Sequence, residues 1–318
     1  MKKILIFGGT GFVGSQVCEK LNQLYCQVTV ATRRSGHAKA QQMLPLVYIA
    51  EVDLNDSAAL AAVVAGHDAV INLVAILHGS EAAFQKVHVQ WPLALARACK
   101  ASGVRRLLHV SALGASVDSP SRYQRSKARG EAALLGSGLD VTALRPSVIF
   151  GAGDKFLNTF AKLQQVFPVI PLAGAQARFQ PVWVGDVASA LVHCLHDTET
   201  IGKVYEACGP DIFTLKQLVQ LAGGYAGINQ GKGRPVIGLP DALARLQAFL
   251  MELAPGEPML SRDNLDAMKT DNVASGKLPG LQALGIAPAS LGAIAPTYLG
   301  ARGLRSNLMA KRTTAGRF

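Results

Sequence analysis

Within its first fourteen residues the chain runs from a short apolar stretch, Ile4-Leu5-Ile6-Phe7, into a glycine-rich turn, Gly8-Gly9-Thr10-Gly11-Phe12-Val13-Gly14. An uninterrupted apolar run that ends in glycine suits a strand buried on both faces. A glycine at the end of such a strand permits the tight turn. A second lets backbone N–H groups approach a phosphate, and a third lets the following helix pack closely on the strand. Gly8, Gly11 and Gly14 occupy those places. The predicted unit is a nucleotide-binding βαβ, in which Gly8, Thr10, Gly11, Phe12, Val13 and Gly14 hold a pyrophosphate.

The same alternation continues through the first half of the chain. Short β-branched runs alternate with longer Ala/Leu-rich stretches, which predicts a Rossmann-type, doubly wound α/β fold with helices on both faces of a parallel sheet. The predicted strands are 4–7, 27–31, 47–51, 69–73, 106–110 and 141–144, with helices starting near Gly14, Ala38, Ser57, Glu81 and Ser121. Beyond residue 150, loops rich in Gly and Pro (168–174, 231–240, 255–258) surround helices such as 242–253. We therefore expect a dinucleotide-binding domain over 1–150, to which a segment near 179–210 returns. A smaller, less regular, substrate-side part spans 151–300, and a basic tail spans 301–318. No internal repeat interrupts this two-part reading.

The second predicted strand closes in Ala31-Thr32-Arg33-Arg34, about twenty residues past the glycine loop, where an NAD-binding chain places an acid for the ribose 2′-hydroxyl. Two guanidiniums stand there instead. They suit a 2′-phosphate dianion, which they can grip bidentately, so NADP(H) is favoured as the dinucleotide and NAD(H) stays open. Tyr123 and Lys127 stand four apart and share one face of a helix. A nearby ammonium favours the phenolate and is expected to lower the tyrosine's pKa. A tyrosine so placed can exchange a proton with a carbonyl or alcohol while hydride moves to or from a nicotinamide, with the lysine also holding the ribose. The same spacing also suits a plain helix with an exposed lysine and a half-buried tyrosine.

The net charge of +11 is unevenly spread. After Asp271 there is no Asp or Glu, while Lys277, Arg302, Arg305, Lys311, Arg312 and Arg317 follow. This reads either as a solvated basic tail or as a peripheral contact with an anionic membrane surface or acidic protein. Nucleic acid is not expected, because the basic stretch lacks interleaved aromatics and no recognition motif is present. The five cysteines are scattered without a Cys-x-x-Cys pair, so reduced thiols are expected, and the seven histidines lack the spacing of a metal site. The longest largely apolar stretch, 69–77, is too short to span a bilayer. Lys2-Lys3 leads directly into the first strand, so no signal peptide is expected. The expected location is cytoplasmic, with a peripheral place on the inner face of the membrane left open.

The spacing Gly8-x-x-Gly11-x-x-Gly14 resembles that of the short-chain dehydrogenase/reductase superfamily, particularly its extended and atypical branches. Segments 107–115, 122–131 (RYQRSKARGE) and 145–151 are similar to the branch of the alpha-subcomplex subunit nine of NADH:ubiquinone oxidoreductase (complex I) and its bacterial relatives. Segment 179–188 is similar to the stretch where extended members return to the Rossmann domain. Residues 205–210 and Thr214-Leu215 resemble their next strand and helix. Segments 261–265, 270–273 and 288–299 extend the likeness to about residue 300.

The resemblance implies that Ser111 hydrogen-bonds the reacting oxygen, with Tyr123 as acid/base and Lys127 assisting. It also implies that Asp53 and Leu54 lie near the adenine, and that Leu73, Val74 and Ala75 line the cofactor after the fourth strand. Pro146 and Val148 are further cofactor contacts. Two departures stand out: Gln124 follows Tyr123 where sugar-nucleotide epimerases and dehydratases usually have Gly, and His88 stands where many relatives have asparagine. The implied activity is an NADP(H)-dependent, epimerase/dehydratase-like oxidoreductase acting on a carbonyl, alcohol or quinone-related small molecule, linked to complex I or quinone metabolism. Two alternatives stay open. One is a non-catalytic, NADPH-bound structural or assembly factor of a respiratory complex; the other is a sensor of the NADPH/NADP⁺ ratio.

Overall fold

Strand β1 (Lys3–Phe7) buries Ile4, Leu5, Ile6 and Phe7 completely, and a strand apolar on both sides belongs in the middle of a sheet covered on both faces. In the computed structural model, which describes residues 1–253, 256 and 258–300, β1 is flanked in parallel by β2 (Gln27–Thr32) and by Ala69–Asn72. With β3 (Val47–Glu51), β4 (Ala69–Asn72), β5 (Arg106–Val110), β6 (Asp140–Pro146) and the strand Val204–Ala207, the sheet runs β3-β2-β1-β4-β5-β6 and ends on Val204–Ala207. All its pairings are parallel. The order reverses between β1 and β4, and open α/β sheets bind ligands at the carboxyl ends of the strands around such a switch point.

Five helices organise this unit before residue 140: α1 (Phe12–Gln23), α2 (Ser57–Val64), α3 (Glu81–Phe84), α4 (Trp91–Ala101) and α5 (Arg122–Leu135). One core packs Leu5, Phe7, Val70, Leu107 and Val141 of the sheet against Leu60 of α2, Trp91 and Leu95 of α4, and Leu134 of α5. Strand alternation turns Ile4 and Ile6 to the other face, and α1 packs with the helix Val184–His196. The helix starts follow from local chemistry. Asp56 accepts from the N–H groups of Ala58 and Ala59 to cap α2, and Ser121 accepts from Gln124 N–H to cap α5. Between α3 and α4 the chain makes a π-helical turn, Gln85–Gln90.

The helix expected near Ala38 does not form. Ser35–Ala38 and Gln41–Met43 are isolated 3-10 turns, and Pro45 holds Leu44 extended (φ −88°, ψ 126°), because a residue before proline is driven out of the α region.

The described chain divides into two units. The first is Met1–Pro146, Val184–Ala207 and Ala274–Ala287; the second is Ser147–Trp183, Cys208–Val273 and the chain from Pro288. Helices Leu157–Val166, Leu215–Tyr225 and Leu291–Leu299 share one core of the second unit, around Phe150, Leu218 and Ala295. Short strand pairs link its loops, Ile149–Phe150 with Val182–Trp183 and Ile170–Leu172 with Val236–Gly238. Arg302, Arg305, Lys311, Arg312 and Arg317, with the rest of the tail expected over 301–318 and part of the 255–258 loop, lie outside the described residues. Among those described, no helix is long and apolar enough to cross a membrane, and no group of three His, Cys, Asp or Glu could hold a metal ion.

Candidate active site

The glycine turn sits at the carboxyl end of β1. Gly8 adopts φ +82°, and a Cβ on it would meet the Leu73 carbonyl carbon at 3.0 Å. Gly11 N–H donates to Gly8 O at 3.0 Å and closes the turn. At Gly14 a Cβ would strike Gly8 O and lie 2.5 Å from Gly9 Cα, so α1 can approach the strand this closely only without a side chain there. Gly11 occupies the N-cap of α1 and no side chain caps the helix. The N–H groups of its first turn, with the positive end of the helix dipole, are what an anion binds. Thr10, Phe12 and Val13 are half-buried around the turn.

Sequence reasoning missed the residue behind this loop. Gln41, buried, donates from Nε2 to Gly9 O (3.3 Å) and to Ser15 Oγ (2.8 Å), while Ser15 Oγ donates to Gly11 O (2.9 Å). No local pattern marks a lone glutamine in an irregular connection.

Arg33 and Arg34 follow β2 and are exposed. The Arg34 backbone is held by Thr32, whose Oγ1 donates to Arg34 O at 3.1 Å. Strand pairing brings an acid alongside that sequence order hid: Glu51 is in register with Thr32. Its carboxylate accepts from Ser35 N–H at 3.0 Å; this hydrogen bond, with the nearby charge of Arg34, holds it below the usual carboxylate range. Asp53 is exposed, and its Oδ1 accepts from both the backbone N–H (2.9 Å) and Nδ2 (2.8 Å) of Asn55, which lowers its pKa. Leu54 packs on the sheet core.

At the end of β4, Leu73 N–H donates to Phe7 O (2.9 Å), which sets Leu73 against Gly8. Val74 is half-buried and Ala75 exposed. Pro146 closes β6, and its carbonyl accepts from Leu113 N–H at 2.9 Å. Val148 belongs to the second unit, where its N–H donates to Asn272 Oδ1 at 3.2 Å.

The corner formed by β5 and α5 is built from buried polar groups. Lys127 is 2% exposed and its Nζ donates to the Val110 carbonyl at 2.7 Å, next to Ser111. Ser111 is itself 4% exposed, and its Oγ has no hydrogen-bond partner among the described residues. A buried hydroxyl left unsatisfied calls for an explanation, and a bound oxygen would supply one. Tyr123 lies one turn before Lys127, with its ring edge-to-face against His88 (5.4 Å) and Phe84 (6.0 Å).

The expected lowering of the Tyr123 pKa is not found. Tyr123 is half-buried, and desolvation pushes its phenol up to about 12. Burial likewise lowers Lys127 to about 8, opposed in part by Glu131. Desolvation penalises both charged forms here, and it outweighs the attraction that spacing alone suggested.

His88 stands on the π turn, buried. Its Nε2 accepts from Ile76 N–H (3.1 Å), which leaves the proton on Nδ1 to be donated to Ser126 Oγ (2.8 Å). That hydroxyl donates to Tyr123 O (2.7 Å). Burial first, and the charge of Lys127 second, hold His88 down to about 3, so it is neutral. His109 is lowered for the same reasons, and its Nδ1 meets Asn72 Nδ2 at 3.2 Å. Asn72 also accepts from Trp91 Nε1 at 3.0 Å, which makes it a structural node behind the site. Of the other cations on α5, Arg125 donates to the carbonyls of Ser119 (2.7 Å) and Pro120 (2.9 Å), and Arg129 is exposed. Gln124 is buried and accepts from Ser119 Oγ, which ties the loop before α5 to the helix.

Residues 4–208 match the model of the NAD dependent epimerase/dehydratase family. The chain belongs to that family. Within it, the chain is 33% identical over 301 residues to the NADH dehydrogenase [ubiquinone] 1 alpha subcomplex subunit 9 of Arabidopsis thaliana, covering 90% of this chain and 74% of that one. It is 28% identical over 306 residues to the 40 kDa subunit of the NADH-ubiquinone oxidoreductase of Neurospora crassa, with 95% and 79% covered. An NADPH-dependent quinone oxidoreductase of Escherichia coli, solved with NADPH, shares the fold at a TM-score of 0.73 and 23% identity, covering 91% of this chain and 97% of that one. The resemblance to the subunit-nine branch therefore holds, on a dinucleotide-binding epimerase/dehydratase fold with a seven-stranded parallel sheet.

Proposed function

We propose that this chain is an NADP(H)-dependent oxidoreductase that reduces a carbonyl- or quinone-type compound at the β5–α5 corner. The observation that carries the reading is the orphaned Ser111 Oγ, buried one residue beyond the carbonyl that anchors Lys127. The residues present fit a nicotinamide dinucleotide. Gly8 and Gly14 leave the room a Cβ would fill, α1 has no side-chain cap, and Ser111 lacks a partner. When bound, the nicotinamide supplies the hydride.

The chain's own residues do the rest. Arg33 and Arg34 grip the 2′-phosphate, and the first turn of α1 holds the pyrophosphate. Asp53, Leu54, Leu73, Val74, Ala75 and Pro146 complete the cofactor contacts. Ser111 orients the reacting oxygen. Tyr123, protonated at neutral pH because its pKa is about 12, serves as the acid that delivers a proton to that oxygen. Lys127 holds the ribose while its ammonium persists, below about pH 8.

A second reading is favoured by one observation. Lys127 Nζ is engaged by the Val110 carbonyl and the Tyr123 phenol is raised rather than activated, an arrangement that also suits a chain that keeps its nucleotide for stability. Relatives whose names make them subunits of a respiratory NADH dehydrogenase support that alternative. In that case the basic residues after Gly300 are the candidate contact with the complex.

The test is to identify the co-purifying nucleotide by mass spectrometry and to follow NADPH oxidation against a panel of quinones and aldehydes. Tyr123→Phe is expected to lower the rate by ~100-fold or more with nucleotide affinity retained. Near-zero rates in both proteins, with tight binding, would sink the enzyme reading in favour of the structural one.

A further inference from the structure

The connection between β2 and β3 carries Arg33 and Arg34 but no α-helix. What secures it near the glycine loop is one buried amide. Gln41 donates to Gly9 O and Ser15 Oγ, and Ser15 passes the bond on to Gly11 O, so one side chain touches both halves of the loop. The orientation of the amide is fixed, because a backbone carbonyl can only accept and the Ser15 proton is already committed to Gly11. At the other end of the connection, the Arg34 backbone is pinned by Thr32 and Ser35 is pinned by Glu51.

The Gln41 amide is satisfied on one side only, through its two donated bonds. Its Oε1 is buried without a partner among the described residues, a cost in folding free energy set against those two bonds.

We propose that Gln41 is a positioning residue that holds the pyrophosphate loop and the Arg33/Arg34 turn in one fixed spacing, so that a dinucleotide bearing a 2′-phosphate is read at two points at once. This rests on the NADP(H) reading above. NADH, which lacks the 2′-phosphate, uses only the first point and depends less on the spacing.

The experiment titrates the full chain with NADPH and with NADH by calorimetry, for wild type, Gln41→Met, Gln41→Lys and Arg34→Ala. Gln41→Met keeps the length and removes both donors. It should change the melting temperature without nucleotide little, because loss of the donor to Gly9 O is set against removal of the orphaned Oε1, yet weaken NADPH about tenfold and NADH about threefold or less. Gln41→Lys, whose ammonium can donate to both oxygens, should retain the preference for NADPH. Combined with Gln41→Met, Arg34→Ala should cost NADPH affinity less than it does alone, the signature of two groups acting together.

The proposal is overturned if Gln41→Met binds both nucleotides within twofold of wild type, or if it weakens both by the same factor. Should Gln41→Met fail to fold, Ser15→Ala removes one acceptor of the same amide, and equal losses for the two nucleotides would overturn the proposal just as well. A separate result defeats the underlying reading. If Arg33→Ala and Arg34→Ala leave NADPH affinity unchanged in the wild-type background, the 2′-phosphate is not read there and the coupling falls with it.

Discussion

The glycine loop and the β5–α5 corner lie on the same sheet but are built by opposite means. The loop works with backbone: bare glycines, an uncapped helix end and exposed arginines beyond. The corner works with side chains withdrawn from water, among them Lys127, His88, His109 and Ser111, with the half-buried Tyr123 beside them. A loop made of N–H groups offers a fixed partial charge that pH does not alter. A corner made of buried titratable groups has its charges set by desolvation, so it gains chemistry and becomes sensitive to its surroundings.

That contrast can be broken from either side. The largest effect is expected at Gly14, where any Cβ collides with the backbone of Gly8 and Gly9. Gly14→Val should lose NADPH binding by ~100-fold or more and ~1–3 kcal/mol of stability, read by calorimetry and by denaturant titration; ordinary binding would disprove the cradle. Next come Arg33→Ala and Arg34→Ala, which should together cut the preference for NADPH over NADH by roughly 10- to 100-fold while leaving NADH affinity and the melting temperature unchanged.

In the corner, His88→Ala removes the acceptor of Ile76 N–H and the donor to Ser126. It should cost ~1–3 kcal/mol, and a stability within experimental error of wild type would show the network to be idle. Nitrogen-15 spectra of the intact protein should keep His88 neutral until the pH approaches about 3.

The smallest effect is a drift with pH. Lys127 loses its proton as pH rises through about 8, so NADPH affinity should fall above that value and stay flat below it. Lys127→Arg, whose charge persists, should abolish the drift if it folds, and a wild-type affinity constant from pH 7 to 9.5 would remove Lys127 from the ribose. Linkage adds a check of its own sign. The folded-state pKa lies below the ordinary value of 10.5, so the unfolded chain binds more protons between about pH 8 and 10.5, and this group's contribution to stability rises with pH across that window.

Much of the sheet is legible in the chain because its signals are local. The run from Ile4 to Phe7 ends in glycine, and Asp56 and Ser121 stand where helix caps are needed. The helix expected near Ala38 failed for a reason also written nearby, the proline at 45, whose effect on Leu44 outweighed a short run of helix-compatible residues. The β5–α5 corner was legible as a list of residue types and spacings but not as electrostatics. Four residues of separation correctly placed Tyr123 and Lys127 on one helix, yet spacing carries no information about burial, and burial reversed the direction of the tyrosine's pKa.

The sequence by itself determined the strand–glycine–helix opening, the parallel alternation, the likeness to the epimerase/dehydratase family and the arginines after the second strand. All of these depend on neighbours within a few positions. Only the tertiary structure decided what those parts meet. Glu51 came alongside Arg34 through strand register, and Gln41 came behind Gly9 from an irregular loop. The strand Val204–Ala207 and segment Ala274–Ala287 joined the first unit from far along the chain. Such contacts are fixed by packing between distant segments, and the free energies that set a buried ammonium near pH 8 and leave Ser111 without a partner exist only once water has been excluded from the corner where they lie.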